Sequence, residues 1–201
     1  MAQTRKSKPL RRSVGQRPIR RVWLIYCEGR TEIHYFEAIK KSLPREFHVK
    51  VNILISNATG QPKKLLQIAQ NHDYAQSSDA TWIVCDVEWP ARHSDLEDVV
   101  YQAEKLGIRM ALSNPCFESW LIWHIQDTSS QLSSREAKKL FQALTGHLPQ
   151  HFDMDDLLSA RPVATNRAKT MAGLHVYNGT HHLDRNPSSD IYQLLDELYE
   201  L

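Results

Sequence analysis

Acidic residues stand where three predicted strands end. Glu28-Gly29-Arg30-Thr31-Glu32 directly follows the apolar run Val22–Cys27. Asp86-Val87-Glu88 follows Thr81–Cys85, and Ser113-Asn114-Pro115-Cys116-Phe117-Glu118 follows Ile108–Leu112. Parallel strands deliver their carboxyl ends to one edge of a sheet, and ligands bind in the crevice outside those ends. Carboxylates gathered there repel one another unless a cation sits between them. Oxygen ligands suit magnesium or manganese, and that pairing points to phosphate chemistry.

Each segment also has a plainer reading. Glu28 with Gly29 can be a solvated turn, in which the glycine lets the backbone turn sharply. Glu32 can favour a helix N-terminus, and Thr31 can cap that helix. Asp86 and Glu88 are two apart, so in extended backbone they face one side, as two ligands of one ion must; the plain alternative is a polar loop. Glu118 lies one turn into a predicted helix, with its direction fixed by Asn114 and Pro115. Arg30, between two glutamates, can clamp a phosphate or pair with a neighbouring carboxylate. The coincidence of all these acids at three successive strand ends favours the metal reading.

The elements that must position these residues follow from apolar patterning. Val22–Tyr26 is a continuous apolar run, as expected for a strand buried on both faces. The spacing of Ile33, Phe36, Ala38 and Ile39 predicts a helix over Thr31–Lys41, closed by Pro44. Val49–Ile55 reads as a second strand, 57–60 as a loop, and Pro62–Asn71 as a helix with proline in its first turn. Thr81–Cys85 is a third strand, Ser94–Leu106 a helix ended by Gly107, and Ile108–Leu112 a fourth strand. Alternating strands and helices predict an α/β core with a mostly parallel sheet flanked by helices.

Beyond Pro115 the pattern turns helical, which predicts additional C-terminal helices. Phe117, Trp120, Leu121 and His124 share a face. Ser133 with Glu136 has the spacing of a capping box, opening a helix to about Thr145. Ala164–Tyr177 is helical by composition and spacing. Asn186-Pro187-Ser188-Ser189 is a turn introducing a last helix with Ile191, Leu194, Leu195, Leu198 and Leu201 on its apolar stripe. The segment 124–163 has room for a helical insertion or lid.

The chain has 201 residues, 41% hydrophobic and 24% charged, which suits one globular domain over 21–201. No apolar run approaches the roughly 18 residues of a membrane span. The formal charge of +2 hides an asymmetry. Arg5, Lys6, Lys8, Arg11, Arg12, Arg17, Arg20 and Arg21 carry all the charge of the first 21 residues, so the body is net acidic. Residues 1–20 read as a disordered basic tail: either an arm for nucleic-acid phosphates or an acidic partner, or a solubilising terminus. Cys27, Cys85 and Cys116 show no CxxC spacing. They read as small buried hydrophobes in a reducing cytoplasm.

These segments resemble the RloB-like family, whose core is related to the Toprim domain of topoisomerases, primases and OLD-type nucleases. The resemblance is carried by Glu28-Gly29-Arg30-Thr31-Glu32-Ile33-His34-Tyr35-Phe36, by Asp86-Val87-Glu88, by Ser113–Leu121 and by Asn186–Ser189, and it spans residues 21–200. The Asn-Pro-Cys-Phe-Glu block is its most distinctive part. The resemblance implies a Toprim-like sheet, with Glu28 as the family's glutamate and Asp86 as the first acid of its Asp-x-Asp motif. The second acid here is Glu88, one methylene longer and so different in reach. It also implies a bacterial anti-phage defence context with an ATPase partner.

The expected function is thus a divalent-metal-dependent nuclease acting on RNA or DNA. Glu28, Asp86 and Glu88 would hold one or two Mg2+ or Mn2+ ions, Glu32 and Glu118 would be outer or second-metal ligands, and Arg30 would assist catalysis. The alternative is a non-catalytic subunit that binds nucleic acid or a partner. No nucleophilic-serine motif, Walker lysine or GxGxxG is present. Lys63 and Lys64 at a helix start, and Asn166, Arg167 and Lys169 on a late helix, are further candidates for phosphate contact, with solvated helix faces as the simpler account. His34 and His124 read as core or boundary histidines before catalytic ones, and Trp82, Trp120 and Trp123 as core.

Overall fold

The structure, a computed structural model, describes residues 21–57, 59–72 and 78–200, and all of their side chains except those of residues 49 and 50. The predicted basic tail (residues 1–20), Ala58 and Leu201 lie outside the described residues. Five strands form one sheet: β1 (Arg21–Cys27), β2 (Val51–Ile55), β3 (Ala80–Asp86), β4 (Arg109–Asn114) and β5 (Ser188–Ser189). Their order is β2-β1-β3-β4-β5, with the first four parallel and β5 antiparallel.

Both faces are covered, which is why the strands read as unbroken apolar runs. Alternation sends Trp23, Ile25, Cys27, Val51, Ile53, Trp82 and Val84 to one layer and Leu24, Tyr26, Ile83, Cys85 and Leu112 to the other. Helix α1 (Arg30–Ser42) packs on the first layer through Tyr35, Phe36 and Ile39. Helices α3 (Pro62–Gln70) and α4 (Leu96–Lys105) pack on the second through Leu65, Leu66, Leu96 and Val99. Right-handed crossovers require this split. The chain leaves β1 in one direction to form β2, then reverses past β1 to form β3 and β4. The reversal puts a switch point between the carboxyl ends of β1 and β3.

The remaining helices extend the first layer: α5 (Glu118–Ile125), α6 (Ser134–Thr145), α7 (Arg161–Tyr177) and α8 (Ile191–Tyr199), with 3-10 turns at Pro149–His151, Met154–Ala160 and His182–Asp184. The Ser133–Glu136 capping box forms in both directions, and Trp82, Trp120 and Trp123 are core residues. No helix among the described residues is long and apolar enough to cross a membrane.

Besides small shifts at the ends of other elements, among them α7 beginning at Arg161 instead of Ala164, three differences from the sequence reading have local causes. Residues 45–50 are a short helix, α2 (Arg45–Lys50), not the start of a strand. Pro44 ends one helix and opens the next, its carbonyl accepting from the Phe47 amide at 3.0 Å. Strand β2 begins only at Val51, where the pairing with Arg21 begins. Helix α5 starts at Glu118 rather than near Pro115, because the Pro115 carbonyl accepts from Glu88 N at 2.9 Å instead of opening a helix. The Asn186–Ser189 turn contains a strand: Ser189 pairs with Ser113 and Ser188 with Asn114. A serine pair has no strand propensity to announce it.

Candidate metal centre

Glu28, Asp86 and Glu118 follow or end β1, β3 and β4, and the sheet brings all three to its carboxyl edge, Glu28 and Asp86 at the switch point. The backbone stitches the ends together. Glu28 N donates to the Val84 carbonyl at 3.0 Å, Asp86 N donates to Glu28 Oε2 at 2.9 Å, and Phe117 N donates to Asp86 Oδ1 at 2.8 Å. Both carboxylates are thus oriented by backbone amides, one in β3 and one in the turn between β4 and α5.

A cavity of about 370 Å³ opens at this edge. Glu28, Glu32, Asp86, Glu88 and Glu118 all line it, with Gly29, Thr31, Phe117, Lys138, Leu148, Pro149 and Gln150. Lys138 is the one cationic side chain in that lining. Glu32, Asp86 and Glu118 are only 4%, 7% and 5% exposed, so water screens their mutual repulsion poorly. Burial pushes the Glu32 carboxyl up to about 7, helped by Glu118 and Glu28. Asp86 is driven well above its ordinary value by burial and then by Glu32, Glu118, Glu28 and Glu88. Glu28 is raised by burial, against the lowering effect of the Asp86 amide and of His93, whose Nε2 lies 3.4 Å from Glu28 Oε1. A cluster that resists losing its protons, in a cavity, is what a divalent cation relieves.

The tightest set of ligand atoms contains a sulfur. Asp86, Cys116 and Glu118 each place one ligand atom within 4.8 Å of the others. Cys116 is buried, as expected of a small hydrophobe, but its thiol belongs to this cluster and is raised by burial, Glu118 and Asp86. These residues fit a metal ion by charge, burial and spacing, with oxygens predominating.

Local geometry corrects several reasons given by the sequence. Gly29 is extended (φ −131°), so its conformation does not need glycine. Its missing side chain does matter: a Cβ there would lie 2.8 Å from Glu32 Oε2. Gly29 also holds the N-cap position of α1, and Thr31 lines the cavity instead of capping. Asp86 and Glu88 reach one cavity, but not through extended backbone. Glu88 is left-handed, with φ +62°, an unfavourable conformation for a residue with a Cβ. It is held there by Glu88 N to the Pro115 carbonyl and by Val87 N to the Ser113 carbonyl, both at 2.9 Å.

Other candidates fall elsewhere. Arg30 is exposed and outside the cavity lining. Exposed His34 borders a different hollow with Lys41 and Asp155. His124 is a core residue, its Nδ1 2.9 Å from the Trp120 carbonyl and its Nε2 3.2 Å from Tyr35 Oη. Arg167 donates to the Trp123 carbonyl and Lys169 pairs with Asp196 at 2.6 Å, so both serve packing here. Lys63 and Lys64 are exposed, Lys64 reaching the Thr59 carbonyl at 3.2 Å.

Sequence reasoning missed Lys138 and the wall from Leu148 to Gln150. Neither carries a motif, although the segment 124–163, read as room for a lid, contains both. A model of the RloB-like protein family matches residues 23–198. The chain therefore belongs to the RloB-like family. No curated protein and no solved structure matches it.

Proposed function

We propose that this chain is a divalent-metal-dependent nuclease with a Toprim-type site, hydrolysing phosphodiester bonds of RNA or DNA as an effector of a bacterial anti-phage defence system with an ATPase partner. The observation that carries the reading is the convergence of five carboxylates, three of them almost wholly buried, on one cavity with a single lysine. Mg2+ or Mn2+ suits the oxygen-rich set. Asp86 and Glu118 would hold the ion, with Glu28, Glu32 and Glu88 around it. A bound divalent ion supplies Lewis-acid charge to a phosphoryl oxygen and makes water a better nucleophile.

The chain's own groups do the rest. The Asp86 amide fixes one Glu28 oxygen, and His93 stands beside the other, which orients Glu28 to accept a proton from an attacking water. The Phe117 amide occupies Asp86 Oδ1 and leaves Oδ2 for a ligand. Leu148 and Pro149 wall one side of the cavity and limit water around the reacting phosphate.

The test is cleavage of RNA and DNA oligonucleotides by the purified chain in Mg2+, Mn2+ or EDTA, beside Glu28→Gln and Asp86→Asn. The nuclease reading expects ion-dependent cleavage in the wild type and a loss of several powers of ten in both variants. Undetectable cleavage in all three, with no Mn2+ binding, would instead favour the non-catalytic binding subunit.

A further inference from the structure

Lys138 sits on α6, in a pocket whose other charged lining residues are all carboxylates, and its position is built rather than incidental. The start of α6 is tied to both loops that carry the acids. Ser134 N donates to the Trp89 carbonyl at 3.0 Å, one residue beyond Glu88. Ser134 Oγ lies 3.3 Å from the Trp89 and Pro115 carbonyls, and Cys116 Sγ lies 3.8 Å from the Ser134 carbonyl. Lys138 follows Ser134 by four residues, one helical turn, so it shares Ser134's face. Its Nζ stands 4.0 Å from Glu88 Oε1 and makes no hydrogen bond among the described residues. Glu88, in turn, is kept in left-handed backbone at this spot. The strained backbone of Glu88 and the half-exposed Lys138 meet across one contact.

We infer that the Lys138 ammonium takes the place of a second divalent ion, neutralising Glu88 and the outer side of Glu118, so that the pocket holds one metal ion on the Asp86–Glu118 side. This rests on the metal-dependent reading above. A tethered ammonium needs no filling from solution and cannot dissociate. It also presents N–H donors to a phosphate at the position a second ion would occupy.

The experiment is a Mn2+ titration of the purified chain, with free ion read by electron paramagnetic resonance, beside Lys138→Met and Lys138→Arg. Circular dichroism and melting curves establish that the variants are folded; Lys138 is half exposed, so neither substitution opens the core. One Mn2+ is expected in the wild type and in Lys138→Arg, and two in Lys138→Met. Two ions in the wild type would overturn the inference while leaving the metal-dependent reading intact. So would one ion in both wild type and Lys138→Met, whatever its affinity, since Lys138 would then be only a neighbouring charge. Absence of Mn2+ binding to any of the three would sink the metal-dependent reading itself, and this inference with it.

Discussion

Helices α1 and α5 carry two buried polar clusters of opposite character. At the sheet edge, Glu32 and Glu118 line one cavity with Asp86, and both their charges act on it. Deeper in the core, Tyr35 and His124 meet as neutral partners. The His124 Nδ1 hydrogen bonds to the Trp120 carbonyl, which can only accept, so Nε2 is left to accept from Tyr35 Oη. Aromatic edges of Tyr35, Phe117 and Trp120 close around the pair. Burial acts on both clusters, pushing the Glu32 carboxyl up to about 7 and His124 down to about 4. In the core the neutral form is the one that completes the hydrogen bonds, so burial and bonding agree. At the edge the proposed ion would require the ionised form, so there burial opposes the ligand.

The widest separation between the two clusters is expected from Asp86→Asn. It should cost several powers of ten in cleavage yet raise the melting temperature of the metal-free protein, because one like charge is gone while the Asn oxygen can still accept from Phe117. The direction follows from the raised Asp86 carboxyl: the folded state resists its ionised form, and the amide removes that penalty. Thermal denaturation in EDTA and in Mn2+ measures it; an unchanged or lowered EDTA melting point would make the two clusters alike after all. Tyr35→Phe should do the reverse. It strands His124 Nε2 without its donor, costing about 1–3 kcal/mol in urea denaturation, with Mn2+ affinity unmoved.

The pH profile separates the clusters more finely. Glu32 binds its proton more tightly when folded, so between about 4.5 and 7 the folded state holds more protons than the unfolded. Metal-free stability should therefore fall as pH rises through that window, and Glu32→Gln should lessen the fall, with Asp86 and Glu28, also raised, keeping their share of it. His124 works in the opposite sense. Below its ordinary 6.5 the unfolded chain takes up a proton that the folded chain refuses until about 4. Stability is lost as pH falls through that range. The opposing slopes partly cancel in the wild type, and denaturant titrations of Glu32→Gln at several pH values should show the histidine slope more strongly. The smallest effect is expected from Glu88→Gly. Relief of the left-handed backbone should return about 1 kcal/mol to metal-free stability, while Mn2+ binding changes through loss of the Lys138 partner. A destabilised Glu88→Gly would mean that the Lys138 contact outweighs the backbone strain.

Much of this was legible in the residues. The runs Val22–Tyr26, Thr81–Cys85 and Ile108–Leu112 announced doubly buried strands because a parallel sheet leaves no face for polar side chains. Their acidic sequels announced an edge site because a strand end is where a side chain can leave the core. Ser133 and Glu136 announced a helix start because both partners of the cap are local. Strand β5 was hidden because its two serines are strand only by virtue of β4 beside them. The short helix α2 was hidden because alternating Val49, Val51 and Ile53 fit a strand until the register with β1 fixed where pairing begins. Lys138 was hidden because a lysine on a helix face looks the same whether it meets solvent or a ring of carboxylates.

The sequence alone determined which segments are strands and helices over most of the chain, and which carboxylates stand at strand ends, since those signals lie within a few neighbouring residues. Only the tertiary structure decided that Glu28, Glu32, Asp86, Glu88 and Glu118 share one cavity, that Cys116 joins Asp86 and Glu118, and that Lys138 is set among them. Electrostatic energy depends on distance and burial, and both come from the sheet order and the seating of α6, which no local stretch of sequence encodes.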